Sequence, residues 1–348
     1  MSLRLTRRSL FLSSLSAPAW LKAAPTQQPA LPPSNVALTA GEDRRKAIFE
    51  ALMAIDDEIK PKLANKKSVV IKPNNVSTQR QLAATHVDAL RGVMDYLERR
   101  WKGPVFIAES SAGDTLQGFD NFKYTALEAE YKKFPLQLVD LNREALYQLV
   151  PILDDNLHLV PVRLGARLLD PEAFVISSAM LKTHNTVVAT LGIKNMALGA
   201  PLHAAPKETP RWNDKRKYHG GVRQTHVGIM QTAQRLVQTW GLSVIDGHEG
   251  MEGNGPGSGT PVASRLAIAS TDVVAADRVG VEMMGVNPEW PGYLKFCELA
   301  GLGNYDWAKI KIRGENPENL KKKYQLHQDI ERELKWMGPL EEIPVKLG

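Results

Sequence analysis

Short apolar runs alternate with helix-spaced apolar residues along most of the chain. Leu90, Val93, Met94 and Leu97, for example, lie on one face of a predicted helix. The runs that predict buried strands cover residues 68–71, 105–108, 136–139, 174–177, 242–245 and 265–269. Strands that alternate with helices predict an α/β fold with a mainly parallel or mixed sheet, flanking helices and an inserted basic loop.

Polar residues follow four of these strands directly. Since carboxyl ends of parallel strands meet at one edge of a sheet, we expect these groups to converge on one crevice. The alternative is that some of them only cap helices or close turns, Asn74 and Asn75 above all. The groups are Lys72, Asn74 and Asn75; Glu109, Ser110, Ser111 and Asp114; Lys182, Thr183 and His184; and Asp246, His248 and Glu249.

The stretch 243–261 combines acids, a histidine and a glycine-rich loop. We predict Asp246, Glu252 and His184 as catalytic residues, acting as acid, base or metal groups. The loop at 254–259 can offer backbone N–H groups to a phosphate or carboxylate, so Asn254, Gly255 and Gly257 are predicted ligand contacts. A tight turn is the alternative, because neither GxxxxGK[ST] nor GxGxxG before a helix is present.

A second group of predicted ligand contacts lies between residues 182 and 195. Lys182, Thr183 and His184 precede a predicted helix, whose N-terminus would favour an anion. Lys194 and Asn195 interrupt an apolar helix face, and Lys194 either reaches the surface or serves the site. The predicted ligand-binding set is Lys72, Asn74, Glu109, Lys182, Lys194, Asn195, Asn254, Gly255 and Gly257.

A divalent metal is an open alternative to a metal-free site. Asp246, His248, Glu252 and Asp277 supply the oxygen and imidazole donors that such ions bind, but HExxH is absent and no spacing is diagnostic. Asp277 lies inside a predicted helix and can instead cap or pair within the fold. A Ser/His/Asp hydrolase is disfavoured because GxSxG is absent.

The N-terminal residues explain most of the positive charge. The net charge is +6, but residues 1–24 contain four basic residues and no acid, which leaves 40 basic against 38 acidic residues in the rest. This balance argues against nucleic-acid binding. Arg7 and Arg8 followed by apolar residues predict a Tat signal peptide over 1–24, contact with the Tat translocase and a periplasmic location. A basic anchor or a chance arginine pair is the alternative.

Four prolines in 25–34 predict a flexible leader over 25–41, followed by an α/β domain over 42–315 and a charged extension over 316–348. We predict no permanent membrane span, because the apolar residues near the N-terminus are interrupted by serines and Pro18. The single cysteine, Cys297, excludes a cysteine-ligated iron–sulfur cluster and predicts buried packing.

The segment 200–224 carries no clear helix or strand pattern. Six Lys/Arg residues and two acids lie between Lys207 and Arg223, with Trp212, Tyr218 and His219 among them. A solvated mobile loop is the favoured interpretation, and a grip on an acidic ligand or a partner surface is the alternative.

With these motifs identified, the chain resembles the family called domain of unknown function 362. The similar stretches are VVIKPNN (69–75), AESSAGD (108–114), LKTHNTVVATLGIKNMALG (181–199), VIDGHEGMEGNGPGSG (244–259) and STDVVAADRVG (270–280). The resemblance implies an α/β domain and marks Lys72, Asn74, Glu109, Lys182, His184, Lys194, Asn195, Asp246, Glu252, Asn254, Asp272 and Asp277. Some relatives carry a ferredoxin-type cysteine-rich module, which this sequence lacks.

These observations predict an exported α/β enzyme that binds a small anionic molecule, with metal assistance by a divalent ion as the open alternative. Lys182, His184 and Lys194 would hold the anion. The alternative hypothesis is a non-catalytic binding or accessory protein that partners a periplasmic redox complex. A closed crevice with converging charges would favour the enzyme, and an exposed apolar patch would favour the partner.

Overall fold

The apolar runs form one large sheet with packed helices, which confirms the predicted α/β fold class. The structure is a computed structural model that describes residues 31–339, of which residues 32–339 form one compact unit. The predicted signal peptide over 1–24 and the first part of the predicted leader lie outside the described residues.

Twelve strands are present in the described part of the chain. They are β1 Ser34–Ala40, β2 Ser68–Pro73, β3 Val105–Glu109, β4 Leu136–Asp140, β5 Tyr147–Leu153, β6 Leu159–Gly165, β7 Ala173–His184, β8 Val188–Thr190, β9 Trp240–Glu252, β10 Thr260–Val262, β11 Leu266–Ser270 and β12 Ile310–Gly314.

Helices connect and cover these strands. They are α1 Arg44–Ala54, α2 Asp56–Leu63, α3 Val87–Glu98, α4 Thr115–Asn121, α5 Ala126–Glu130, α6 Leu141–Glu144, α7 Gly192–Gly199, α8 Val222–Leu236, α9 Val273–Met283, α10 Gly292–Leu299, α11 Pro317–Leu320 and α12 Ile330–Glu333.

The main sheet has the order β12-β1-β11-β9-β7-β2-β3-β4. The strands from β9 to β4 are parallel neighbours, while β11 runs antiparallel to both β9 and β1. β5 and β6 form a separate antiparallel hairpin. The parallel half is the part whose carboxyl ends can share one site.

Both faces of the parallel half are covered by apolar cores. Val70 on β2 packs into a core with residues of α7, α8 and α9, whereas Val69 and Ile71 pack into a second core with residues of α1 and α3. A strand that is buried on both faces needs a continuous apolar run. The central strands could therefore be predicted from the sequence.

β7 and β9 are much longer than their neighbours, with 12 and 13 residues against six in β2 and five in β3. Their distal parts pair with β8 and β10 in short hairpins. These hairpins satisfy backbone groups that would otherwise face no partner. The two strands therefore continue beyond the carboxyl edge of β2 and β3.

The predicted flexible leader over 25–41 is wrong for its last part. Residues Ser34–Ala40 form β1, which lies between β11 and β12 in the sheet. Val36 and Leu38 are fully buried in one core. Both neighbouring strands are more than 200 residues away in sequence, so the pairing could not be seen locally.

The charged C-terminal extension is packed onto the domain as far as it is described. Tyr324 is buried, and the buried carboxylate of Glu333 accepts the backbone N–H of Val188 at 2.7 Å. Within residues 31–339, no helix is long and apolar enough to cross a membrane.

Candidate functional site

A cavity of about 320 Å³ lies at the carboxyl ends of β2 and β3. Helix α7, the end of β7 and the basic segment after α7 complete its wall. Its lining consists of Lys72, Asn74, Asn75, Val76, Glu109, Ser110, Ala112, His184, Asn185, Lys194, Asn195, Leu198, Gly199, Asn213, Lys215, His219 and Pro256. The lining contains three lysines and one carboxylate, so it favours a negatively charged ligand.

A buried ion pair joins the ends of β2 and β3 at the base of this cavity. The ammonium of Lys72 lies 3.0 Å from both carboxylate oxygens of Glu109. The same carboxylate accepts the backbone N–H groups of Asn75 (3.2 Å) and Ser110 (2.7 Å). Burial lowers the pKa of Lys72, and the charge of Glu109 opposes that shift. The negative charge of Glu109 is therefore compensated by Lys72.

Asn195 links this pair to helix α7. Its Oδ1 accepts from Lys72 Nζ at 3.1 Å and from Asn74 Nδ2 at 3.0 Å. Its Nδ2 donates to Ser177 Oγ at 3.0 Å. Because an ammonium can only donate, the oxygen of Asn195 must face Lys72, and Asn74 must in turn offer its NH₂ group.

Two amide atoms in the lining have no hydrogen-bond partner among the described residues. They are Asn74 Oδ1 and Asn75 Nδ2, and both side chains are at most 4% exposed. Buried polar atoms are nearly always paired, and an unpaired one costs about 1–3 kcal/mol. Each of the two atoms exposes less than 1 Å² of surface, so a ligand reaches this acceptor or this donor only through a small shift of the surrounding side chains.

Lys194 has fewer polar contacts than the other lysines that line the cavity. It is 6% exposed and has no hydrogen-bond or salt-bridge partner within residues 31–339. Burial, together with the nearby charge of Lys72, lowers the pKa of Lys194 to about 7. A large fraction of this side chain is therefore a neutral amine at neutral pH.

Lys215 reaches the cavity from the basic segment. Its Nζ donates to the backbone oxygens of Gly199 (2.9 Å) and Leu198 (3.3 Å) at the end of α7, and burial lowers its pKa to about 7. The favoured interpretation of a solvated mobile loop is wrong for this part of the segment. Asp214 and Tyr218 are buried in the fold. Asp214 also accepts the backbone N–H of Arg163 at 2.8 Å, which ties the segment to β6.

His184 contributes a neutral ring to the lining. Its Nδ1 accepts the backbone N–H of Thr186 at 3.1 Å, which places the ring hydrogen on Nε2. Burial and the charge of Lys194 lower the pKa of His184 well below its usual range. His184 is consequently a hydrogen-bond donor rather than a cation at neutral pH.

The predicted anion site at a helix N-terminus is wrong. Lys182 and His184 lie inside the β7–β8 hairpin, and α7 begins only at Gly192. The N–H groups of Gly192 and Ile193 donate to the carboxylate of Asp277 at 2.8 and 2.9 Å. Asp277 thus supplies the cap that α7 lacks locally, and the helix N-terminus is occupied by protein.

Lys182 is fully buried but does not line the cavity. Its Nζ donates to the backbone oxygen of Ala83 at 3.3 Å. Burial and the charge of Lys194 lower its pKa well below the usual range. Lys182 therefore adds a buried amine beside the cavity and makes no direct contact with its interior.

The acids of the stretch 243–261 lie outside the cavity lining. Asp246 is buried 3.1 Å from Arg44 Nε and accepts the backbone N–H of His248 at 2.9 Å. Glu252 accepts the backbone N–H of Gln325 at 2.8 Å. The sequence placed these residues in a loop after a strand, but β9 continues through them as far as Glu252.

Several backbone N–H and C=O groups of the glycine-rich loop are hydrogen-bonded to other residues of the chain. The N–H groups of Gly253 and Gly255 donate to the oxygens of Gln325 and Gly253, and the oxygens of Gly257 and Gly259 accept from Arg80. A Cβ at Gly255 would lie 2.2 Å from the oxygen of Thr183, so this glycine permits close packing against β7.

Asn254 pairs with Gln328 on the protein surface, and Pro256 is the loop residue that lines the cavity. The metal candidates Asp246, His248, Glu252 and Asp277 are not brought together. In the part of the chain that the structure describes, no group of three or more His, Cys, Asp or Glu side chains could hold a metal ion.

Of the predicted site residues, the structure brings six together in the cavity: Lys72, Asn74, Glu109, His184, Lys194 and Asn195. Sequence reasoning missed Asn213, Lys215 and His219 as lining residues. Their basic and aromatic surroundings were visible, but nothing local distinguished Lys215 from the other cations of that segment.

Fold and cavity together define an α/β protein with a lysine-rich cavity at the carboxyl edge of its parallel strands. The family model described as "Domain of unknown function (DUF362)" matches residues 69–282, more than half of the chain. The chain belongs to this family, which confirms the resemblance found in the sequence. The matched region includes every residue that lines the cavity.

The thylakoid-associated protein sll1697 of Synechocystis sp. is 29% identical to this chain over 145 residues. The match covers 40% of this chain and 41% of that protein, so the chain spans well under two thirds of its relative. A crystal structure of a Thermotoga maritima protein aligns with a TM-score of 0.43 and 11% identity, over 75% of this chain and 60% of that one.

We expect Asp277→Ala to destabilise the protein strongly, because two buried N–H groups of α7 lose their acceptor. The expected loss is about 1–3 kcal/mol for each group in the free energy of unfolding, measured by urea titration. Asp43→Ala is the matched control, since Asp43 caps the exposed start of α1 and its loss costs about 1 kcal/mol. Equal losses in the two variants would contradict this role of Asp277.

We expect Lys194→Met to stabilise the protein near neutral pH. The folded pKa of Lys194 is about 7 and the unfolded value about 10.5, so protonation favours the unfolded chain between these values. The gain is at most about 5 kcal/mol below pH 7, the limit set by the difference between these two pKa values, and it disappears as the pH approaches 10.5. Thermal unfolding across this pH range measures it.

The exposed Lys132 provides the control for that measurement. Lys132→Met should leave the pH dependence of the melting temperature unchanged. A Lys194→Met protein that is less stable than the wild type at neutral pH would show that the ammonium is stabilised by partners.

Proposed function

We propose that the cavity binds a small anionic molecule and that the protein is an enzyme acting on it. The observation that carries this proposal is the excess of lysines over carboxylates in the lining. Glu109 compensates Lys72, while Lys194 and Lys215 have no carboxylate partner within residues 31–339. An anionic group of a ligand would supply the missing counter-charge.

The other polar atoms of the lining define the rest of the ligand. Asn74 Oδ1 is an unpaired acceptor, whereas Asn75 Nδ2 and His184 Nε2 are donors. A carboxylate or phosphate that carries a hydroxyl or carbonyl oxygen on a neighbouring carbon would accept from the donors, and only a hydroxyl could also donate to Asn74 Oδ1. Hydroxy acids, oxo acids and small phosphate esters are therefore the proposed ligand class.

Catalysis in this cavity would depend on residues other than the predicted acids. Asp246 and Glu252 do not line the cavity, so the groups available for proton transfer are His184, Lys194 and Lys215. An amine whose pKa is about 7 exchanges protons readily at neutral pH. Perturbed buried groups of this kind are typical of active sites.

We expect sulfate and pyruvate to bind wild-type protein, with an affinity that falls as the pH rises from about 6 to about 9. The reason is that an anion binds the ammonium forms of Lys194 and Lys215, whose pKa values in the free protein are about 7. Binding should therefore take up protons above pH 7. Calorimetry in buffers of different ionisation enthalpy measures both effects.

The groups that face these amines are Lys72, Glu109, His184 and His219. Lys194→Met and Lys215→Met should each weaken binding about 10- to 100-fold, as expected for loss of a buried charged contact. Lys217→Met is the matched control in the same segment, because Lys217 does not line the cavity. An affinity that is unchanged in both cavity variants would contradict the proposal.

A non-catalytic accessory protein is the second candidate. It is favoured by the outer face of the β5–β6 hairpin, where Tyr147, Leu149, Leu157 and Leu159 are between 47% and 68% exposed. Exposed apolar patches of this kind mark contact surfaces. The relative from Synechocystis is described as thylakoid-associated, which is consistent with attachment to a larger assembly.

Export by the Tat pathway and metal assistance belong to the proposal as well. We expect the full chain to occur in the periplasmic fraction of its cells and to carry a bound small acid, with or without a divalent metal. Cell fractionation, elemental analysis and native mass spectrometry of the purified protein test these points together.

Arg7→Lys combined with Arg8→Lys is the control, and it should keep the protein in the cytoplasm. A periplasmic location of that variant would contradict Tat export. A stoichiometric protein partner without a bound acid would favour the accessory protein, and protein without metal would remove metal assistance from the proposal.

A further inference from the structure

Lys194 differs from the other cavity lysines in how its amine is held. Lys72 is surrounded by three acceptors, which are Glu109, Asn195 and the oxygen of Pro73. Lys215 donates to two backbone oxygens. Lys194 lines the same cavity with no partner within the described chain.

The surroundings of Lys194 favour an amine that reacts. Val76, Ala112, Leu198 and Pro256 form the apolar part of the lining and limit hydration of the amine. Lys72 contributes a positive charge that disfavours a second ammonium nearby. Desolvation together with a neighbouring cation is the combination that makes a lysine a nucleophile towards carbonyl carbon.

Helix α7 fixes the position of this amine. Asp277 holds the first N–H groups of the helix, and Asn195, the residue after Lys194, is bonded to both Lys72 and Asn74. The last residues of α7, Leu198 and Gly199, are bonded to Lys215. A nucleophile on a helix that is fixed at both ends has a defined direction of attack.

We propose that Lys194 is a Schiff-base nucleophile and that the cavity takes an anionic carbonyl compound, such as a 2-oxo acid. This inference rests on the proposed anion site and names its substrate class. Lys215 binds the carboxylate, and His184 Nε2–H donates to the carbonyl oxygen.

The chemical step is balanced by groups that are already present. The lone pair of Lys194 Nζ attacks the carbonyl carbon and forms a C–N bond, which gives a carbinolamine. In forming the carbinolamine, nitrogen loses one proton and the former carbonyl oxygen takes one up from the solvent or from Lys215. The resulting hydroxyl takes up a second proton, the C–O bond breaks and water leaves, while nitrogen forms the C=N bond and loses its second proton to the solvent. The product is an imine between Lys194 and the carbon next to the carboxylate, and no oxidant or reductant is needed.

Trapping with pyruvate and sodium cyanoborohydride tests this inference. The hydride reduces the imine carbon and leaves a stable secondary amine, which peptide mass spectrometry locates. In the wild-type protein at neutral pH, we expect Lys194 to be modified at least about tenfold more than the exposed lysines, because those are almost fully protonated there. Lys194 should also be modified more than Lys72, Lys182 and Lys215, because the amines of these three donate to protein acceptors.

Lys194→Arg is the decisive variant, because it keeps a cation in the cavity but cannot form an imine. It should still bind pyruvate in calorimetry and should show no adduct in the cavity. Lys215→Met should need more pyruvate for the same labelling but retain the adduct on Lys194. Acetone, which has the carbonyl but no charge, should label Lys194 about tenfold less than pyruvate at equal concentration.

Different results would contradict the Schiff base and the anion site. Pyruvate binding without an adduct, or an adduct spread evenly over surface lysines, would overturn the Schiff base and leave the anion site intact. Absence of pyruvate and sulfate binding would overturn both. Labelling that prefers Lys72 or Lys215 would show that the nucleophile is misassigned.

Discussion

A buried ion pair between Lys72 and Glu109 holds the cavity together. It joins the ends of two neighbouring parallel strands, and through Asn195 it also fixes helix α7. Removal of one partner from such a pair costs about 3–5 kcal/mol, because the other charge remains buried without compensation. The pair also determines the orientation of the amides of Asn195 and Asn74, and thereby which atoms face the cavity.

The remaining amines oppose folding stability. Burial holds the pKa values of Lys194 and Lys215 near 7, so their protonation favours the unfolded chain over several pH units. Burial also raises the pKa of Asp277 to about 8, whereas the two backbone N–H groups that Asp277 accepts at the start of α7 act against this shift. Folds that keep such groups in a cavity commonly do so for function.

Two walls of the cavity depend on β7 and β9, which are longer than the neighbouring strands. β7 carries His184 beyond the carboxyl edge of β2, and the loop after β9 brings Pro256 to the same space. Glycines make this possible, since a side chain at Gly255 would collide with the backbone of Thr183. The rule that sites lie beyond the strand ends holds here for β2 and β3, and the rest of the wall comes from the end of β7, helix α7 and two loops.

The sequence by itself determined the central buried strands, the α/β class with a mainly parallel or mixed sheet, and the polar groups at the ends of β2 and β3, because continuous apolar runs and strand-end polarity are local features. It also singled out Lys194 and Asn195 inside an apolar helix. Tertiary structure alone decided that β9 continues through Asp246 and Glu252, that Asp277 caps α7, and that Lys215 enters the cavity. Asp277 caps a helix that lies 85 residues earlier in the chain, whereas β9 and Lys215 depend on pairing with β10 and with the end of α7. Tertiary and hairpin contacts of this kind leave no periodic trace in a single sequence.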